Sequence, residues 1–207
     1  MEHDNSVNLL QNEAVVSFMV AATRYCALLE TDSTPEWSLD TMRDCRSTLA
    51  NLYASALRLP ALQTAVSYDG ETGFERIVTE DSYEKVRRRL ERFFGEEDRF
   101  LDAQQEGQKY MDRPVSASVS ELMADLYQAL ADPLWNIRQI GPEAVPSTLA
   151  EMQYTFDYEW GKSLLLVLKH LHDLSANPEF EPYTDAKSEA EGAFDEAPFI
   201  DEENYEI

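Results

Sequence analysis

Apolar residues recur at intervals of three and four positions over residues 147–174, and this run constrains the fold more than any other feature. One turn of an α-helix takes 3.6 residues, so this spacing places the apolar side chains on one helical face. Around Leu164 to Leu168 apolar residues surround the helix on nearly every side, which predicts that this stretch lies deep in the core. The stripe consists of Leu149, Met152, Phe156, Trp160, Leu164, Val167, Leu171 and Leu174. We therefore expect a long helix at the centre of a bundle.

Four further segments show the same helical period. They cover about residues 8–30, 34–59, 81–94 and 118–131. The dipeptide Asp132-Pro133 is expected to end the fourth helix, because proline has no N–H to donate. Alternation with a period of two is weak and singles out only residues 74–78 and the surroundings of Phe100. The sequence therefore predicts an all-α, single-domain bundle of about five helices, with a long central C-terminal helix and an acidic tail.

The chain carries a formal charge of −23, from 40 acidic residues against 17 lysines and arginines. Such a charge repels phosphate backbones and anionic lipid surfaces, which disfavours binding to nucleic acid or to a membrane. The N-terminus lacks the basic and apolar segments of a secretory signal, and two cysteines are too few for a disulfide framework. The sequence thus predicts a cytoplasmic protein, with a protein partner compatible with its charge.

The composition changes at Pro178. Residues 178–207, called the acidic tail below, contain eleven acidic residues and one lysine and so carry −10 of the −23. The scattered aromatics Phe180, Phe194 and Phe199 are too few to offset the entropy lost on ordering the segment. We therefore predict a helical bundle domain over residues 1–177, followed by a tail over residues 178–207 that adds little stability.

Four basic residues on the third helix form what we call the basic stripe: Lys85, Arg88, Arg89 and Arg92. Their spacing of i, i+3, i+4 and i+7 gathers them on the face opposite the apolar side chains. One interpretation is a solvated face with local ion pairs such as Glu84–Arg88. The other is a surface that holds an anion or an acidic partner, and the protein's own acidic tail is the anion expected there.

Catalytic motifs are absent from the sequence: there is no glycine-rich phosphate loop, nucleophile elbow, paired-cysteine metal site or His-Glu-x-x-His. We therefore predict no catalytic residue, cofactor or metal. Three residues are candidates for lining a pocket, namely Asp125, Trp160 and His170. Packing is the preferred interpretation of Trp160 and His170, the first as a large core ring and the second as a partly buried histidine. Cys26 and Cys45 fall on apolar stripes and are interpreted as core residues.

Two stretches together resemble a known family. The first, at residues 118–127, reads SVSELMADLY; the second, at residues 156–161, reads FDYEWG and is followed by LKHLH at residues 168–172. In this order, about thirty residues apart, they resemble the bacterial family called domain of unknown function 5063. The resemblance covers roughly residues 8–175. It implies an all-helical bacterial protein and supplies no activity.

Two classes of function follow as hypotheses. The first is a non-enzymatic interaction or regulatory protein that uses the acidic tail or the basic stripe as its contact. The second is a small-ligand-binding protein or metal-dependent helical-bundle enzyme with a pocket near Asp125, Trp160 and His170. The missing catalytic motifs favour the first class. Whether these three residues converge on one cavity distinguishes the two.

Overall fold

The computed structural model describes residues 9–30, 37–62, 75–102 and 115–182. Short 3₁₀ turns precede β1 and α5, and none of the helices in the described ranges is long and apolar enough to cross a membrane. The elements in chain order are α1 (Glu13–Glu30), α2 (Leu39–Ala56), α3 (Glu80–Phe94), β1 (Arg99–Asp102), β2 (Val115–Ser118), α4 (Val119–Ile140), α5 (Val145–Thr155), a π-helical turn (Phe156–Trp160) and α6 (Gly161–Ala176). The predicted all-α bundle is confirmed.

Short polar side chains fix where the helices begin. Asn12 accepts the backbone N–H of Ala14 through its side-chain oxygen at 2.9 Å, so α1 starts at Glu13. Ser38, Thr79 and Ser118 do the same for α2, α3 and α4, each accepting an N–H from three residues further on. These bonds satisfy donors that the first helical turn leaves without an intrahelical partner.

The core is organised around α4, which packs against α1, α3, α5 and α6. The helices α1 and α2 form a second pair, and α2 closes the bundle against α6. The prediction that residues 164–168 lie deep is confirmed in part, because Leu164 and Val167 are fully buried whereas Leu165 is exposed. Helix α4, rather than the last helix, therefore contacts the largest number of other elements.

Both cysteines belong to this core, as the sequence predicted. Cys26 lies on α1 and Cys45 on α2, and both are free thiols buried among apolar side chains. Burial raises the pKa of both thiols far above the usual range, because a thiolate would lose its hydration there. The two thiols therefore have the properties of packing groups and not of nucleophiles.

The prediction that Asp132-Pro133 ends the fourth helix is wrong, because α4 continues through Pro133 to Ile140. Proline inside a helix costs about 3 kcal/mol, since its ring displaces a hydrogen bond. Packing of the last turns against α5 offsets this cost: Asn136 is buried there and its amide lies 3.5 Å from the Thr148 hydroxyl. The proline has a local consequence, because the carbonyl of Ala129 loses the donor that lies four residues on in a regular helix.

The predicted long last helix is divided by the π-helical turn. Gly161, at its end, permits this conformation: a Cβ there would press against the carbonyl oxygen of Phe156 and lie 2.9 Å from its ring. The turn directs the Trp160 indole into the core, where it is 4 % exposed and 4.7 Å from the Phe156 ring centroid. Turns of this kind occur often at functional sites in helices.

A small hairpin joins α3 to α4. Strands β1 and β2 pair in antiparallel register, with Phe100 opposite Ala117. The candidate strand around Phe100 is confirmed, whereas residues 75–78 form no strand. The buried carboxylate of Asp98 accepts the Ser120 N–H at 2.8 Å and the Ser118 hydroxyl at 2.7 Å, which ties the hairpin to the N-terminus of α4.

The chain stays packed on the bundle beyond Asn177. Phe180 is 9 % exposed, and its ring centroid lies 6.0 Å from that of Phe93 on α3, in an edge-to-face arrangement. The sequence interpretation of Phe180 as a tail aromatic is therefore wrong: it is a core residue. Phe194 and Phe199 lie outside the described residues.

Truncation separates this anchor from the rest of the acidic tail. Ending the chain at Asn177 removes the Phe180 ring and should destabilise the fold by about 1.5–3 kcal/mol. That corresponds to a fall of roughly 3–12 °C in the thermal midpoint for a domain of this size. Ending the chain at Pro182 should leave the midpoint within about 2 °C. Equal midpoints for the two truncated chains, measured by circular dichroism, would show that Phe180 contributes nothing.

Candidate functional site

A solvent-open cleft of about 260 Å³ lies between α4 and the α5–π-turn segment, and we call it the acidic cleft. Its lining is Arg76, Asp125, Gln128, Ala129, Asp132, Pro133, Glu151, Met152, Thr155 and Glu159. Four of these residues are acidic and one is basic. The two family-like stretches meet here, since Asp125 comes from the first and Glu159 from the second.

Helix α3 holds Asp125 in position at the mouth of the cleft. The Tyr83 hydroxyl donates a hydrogen bond of 2.7 Å to its carboxylate. Desolvation raises the pKa of Tyr83, and the hydrogen bond to Asp125 raises it further. The phenol therefore stays a donor at every physiological pH, and Asp125 is oriented while it remains exposed to solvent.

Asp132 forms the floor of the cleft and fixes the segment that enters α3. It is buried, and one carboxylate oxygen accepts the N–H groups of Ile77 at 2.9 Å and Val78 at 3.0 Å. These bonds hold the neighbouring Arg76 beside the cleft. Next to them lies Ala129, whose carbonyl lacks its regular helical partner because Pro133 has no N–H, and this residue also lines the cleft.

The opposite wall comes from one face of α5 and the π-helical turn. Glu151, Thr155 and Glu159 follow at intervals of four, which is the spacing of one helical face. Burial raises the pKa of Glu151, because its charged form loses hydration there. Trp160 lies behind this wall, and its indole N–H is 3.2 Å from the Met152 carbonyl and 3.1 Å from the Thr155 hydroxyl.

The lining of the cleft offers hydrogen-bond acceptors and a negative electrostatic potential. Its side chains include four carboxylates, which accept hydrogen bonds, and one arginine. Within the described ranges, no three His, Cys, Asp or Glu side chains are placed to hold a metal ion. The arrangement suits a ligand that carries positive charge and N–H donors.

The three predicted pocket residues do not converge. Asp125 lines the acidic cleft, and Trp160 supports its wall from the core. His170 lies elsewhere, stacked on Phe100 with ring centroids 4.9 Å apart, and its Nε2 is 2.8 Å from the Glu97 carbonyl oxygen. It therefore joins α6 to the hairpin region, as the packing interpretation of His170 anticipated.

His170 should make stability depend on pH. Desolvation lowers its pKa, although the Glu97 carbonyl bond and nearby carboxylates partly oppose the shift. The unfolded chain then binds the proton more readily, so stability falls as pH drops below the unfolded value of about 6.5. Between pH 7.5 and 5.5 the thermal midpoint of the parent should fall further than that of His170→Gln. Replacing the exposed His172 by Gln is the control, and parallel pH profiles for parent and His170→Gln would refute the assignment.

The basic stripe is divided between two environments. Arg88 is exposed and its guanidinium lies 3.1 Å from the Glu84 carboxylate, the local pair that the sequence suggested. Arg89 turns inward and donates to the Leu29 carbonyl at the end of α1. Lys85 and Arg92 point to solvent. The outward-facing part of the stripe is therefore Lys85, Arg88 and Arg92.

Sequence reasoning missed most of the cleft. Arg76 lies in a candidate strand and Asp132 at a predicted helix end, so nothing in their spacing suggested a site. Glu151, Thr155 and Glu159 do carry a signal, because their spacing of four puts polar residues on one side of a helix whose other side is core. A polar face alone does not distinguish a cleft from solvent.

The fold and the cleft together define an all-helical protein with an acid-lined site between its last helices. Comparison with protein families adds one match, to the family described as a domain of unknown function (DUF5063), over residues 10–177. The chain therefore belongs to this family. It is also similar to a solved structure, the crystal structure of protein BF1032 from Bacteroides fragilis, with 26 % identity and a TM-score of 0.67. That similarity covers 84 % of this chain and 99 % of the other, and comparison with curated proteins gives no match.

Proposed function

We propose that this protein is a non-enzymatic interaction protein that binds a cationic side chain of a partner segment in the acidic cleft. The observation that carries the proposal is the cleft's lining of four carboxylates around one arginine. The cationic side chain of the partner would be lysine or arginine, since both combine a positive charge with several N–H donors. The cytoplasm, where free thiols persist, is the compartment that this proposal assumes.

Pre-organisation supports binding at this place. Asp125 is already oriented by Tyr83, and Asp132 is fixed by two backbone N–H groups. A ligand therefore meets acceptors that lose little freedom when it binds. The cleft's volume of about 260 Å³ lies below the roughly 300–1,000 Å³ of pockets for drug-sized ligands, so it suits one side chain.

The charge of the whole chain supports the same class of partner. A net charge of −23 attracts basic segments over long distances and accelerates their encounter at low salt. The net charge attracts basic segments without specificity, and the residues of the cleft then supply the specific contacts. We expect an association rate that falls with ionic strength and a dissociation rate that depends on the cleft residues.

Calorimetric titration with an arginine-rich peptide tests the proposal. The double variant Asp125→Asn, Glu159→Gln should weaken binding at least roughly tenfold, because two charge-assisted hydrogen bonds become neutral ones. The matched control is Glu96→Gln, Glu179→Gln, which removes the same two charges at exposed acids outside the cleft and should bind as the parent does. All three proteins keep residues 183–207, so the attraction of that segment for the peptide cancels. Equal weakening in the double variant and the control, or no weakening in either, would reject the cleft as the binding site.

A second candidate is a site for a small cationic ligand, and the small volume of the cleft, about 260 Å³, favours it. The same oxygen atoms would accept the ammonium groups of a short diamine. This candidate keeps one part of the small-ligand or enzyme hypothesis, namely a pocket that contains Asp125. Trp160 lies behind that pocket, and His170 lies outside it. Titration with a free diamine distinguishes the candidates: a diamine that binds more tightly than the peptide selects the small ligand.

A further inference from the structure

Asp132 offers one carboxylate oxygen to a ligand at the floor of the acidic cleft. The residue is only 7 % exposed, and the N–H groups of Ile77 and Val78 both donate to the same oxygen, Oδ1. The second oxygen, Oδ2, accepts no hydrogen bond from the described residues and keeps contact with solvent through the cleft. A largely buried carboxylate oxygen without a donor is costly, so an N–H group that enters the cleft is stabilised there.

Arg76 places a positive charge at the rim of the same cleft. It is exposed, and it is the one basic residue of the lining. The bonds from Asp132 to Ile77 and Val78 fix the backbone next to it. Arg76 itself makes no hydrogen bond or ion pair with the part of the chain that the structure describes. Its planar guanidinium presents N–H donors in a fork that matches a carboxylate, so the rim can bind an anionic group.

These two residues set the orientation of a bound side chain. A cationic side chain that enters first reaches Asp132 at the floor, while the backbone that carries it stays at the rim beside Arg76. An internal residue of the partner would bring only neutral amides to Arg76, and a second basic residue next to it would be repelled. A C-terminal residue instead brings its α-carboxylate to the rim.

We propose that the acidic cleft binds the C-terminal lysine or arginine of a partner protein. The side chain donates to Oδ2 of Asp132, and the α-carboxylate accepts from the guanidinium of Arg76. This inference rests on the proposed function and adds two features to it, namely the position of the cation at the end of the partner chain and the anion that accompanies it.

Long-range electrostatics oppose the second of these contacts. The four carboxylates and Arg76 give the lining a formal charge of −3, and the whole chain carries −23. A partner whose C-terminus is amidated has one more net positive charge than the same partner with a free carboxylate, so the general field favours the amide. A preference for the free carboxylate therefore reports a local contact and not the net charge.

Calorimetric titration with two peptides tests the proposal. Both are short, acetylated and neutral except for a C-terminal arginine, which ends in a free carboxylate in one and in an amide in the other. The proteins are the full-length parent, Arg76→Gln and the matched control Arg58→Gln, which removes the same charge at an exposed arginine outside the cleft. We expect the parent and the control to bind the carboxylate peptide about three- to tenfold more tightly than the amide, and Arg76→Gln to lose this preference.

An amide peptide that binds the parent as tightly as the carboxylate peptide, or more tightly, would overturn the proposal. A preference for the carboxylate that persists in Arg76→Gln, or that is lost equally in Arg58→Gln, would overturn it as well. The variant Asp125→Asn, Glu159→Gln separates this failure from that of the proposed function. If it weakens both peptides although the parent shows no preference, the cleft remains the binding site and only the C-terminal assignment falls. If neither peptide binds the parent, or the variant weakens neither, both proposals fail.

Discussion

Replacing Trp160 by alanine should destabilise the protein by about 3–5 kcal/mol, the largest effect that we expect from a single substitution. The indole is 4 % exposed and its ring contacts Phe156 and Phe18, at centroid distances of 4.7 and 6.3 Å. Its N–H also bonds to the Met152 carbonyl and the Thr155 hydroxyl, so the change removes both of these hydrogen bonds as well. Urea unfolding measures the loss directly.

Tyr158 provides the control for this substitution. It belongs to the same π-helical turn but is 62 % exposed, so Tyr158→Ala should change stability by less than about 1 kcal/mol. A Trp160→Ala protein as stable as the Tyr158→Ala protein would show that the turn, and not the indole, supports the wall of the cleft.

Replacing Asp132 by alanine should cost about 2–3 kcal/mol. Its carboxylate is the acceptor for the backbone N–H groups of Ile77 and Val78, and the Val78 bond is buried. A buried donor without an acceptor costs about 1–3 kcal/mol, and hydrogen bonds to charged groups lie in the upper part of the range. We also expect faster hydrogen exchange at these two amides, because the segment entering α3 loses its anchor.

The Asp132→Asn variant separates the hydrogen bonds from the charge. An asparagine oxygen can accept the same two N–H groups, so most of the stability and the slow exchange should return. Exchange at Ile77 and Val78 that is as fast in Asp132→Asn as in Asp132→Ala would mean that the carboxylate's charge, and not its acceptor geometry, holds the segment.

The fold was largely predictable because periodicity reports burial. The stripe from Leu149 to Leu174 identified the core face of the last helices correctly, and the helical class followed from it. Pro133 shows the limit of local signals, since the buried turn around Asn136 outweighs a helix breaker. The π-helical turn was not predicted, although the apolar residues from Met152 to Leu164 follow at three successive intervals of four, longer than the regular period of 3.6.

The site was predictable only in part, because a cleft depends on how helices meet. Asp125 was found from its place beside a core stripe and Trp160 from its place on one, but His170, ten residues after Trp160, faces the hairpin instead. Asp132 was not predicted as a site residue, because the following Pro133 suggested a helix end. Periodicity along one helix carries no information on which polar residues of another helix lie opposite.

The central claim is that the acidic cleft, and not the acidic tail, receives a cationic group. Chemical-shift mapping of the full chain during titration with an arginine-rich peptide tests this most directly. We expect the largest shifts at the amides of three residues that line the cleft, Gln128, Ala129 and Thr155, and we expect these shifts to disappear in Asp125→Asn, Glu159→Gln. Shifts confined to residues 183–207, with the cleft amides unmoved at saturation, would contradict it.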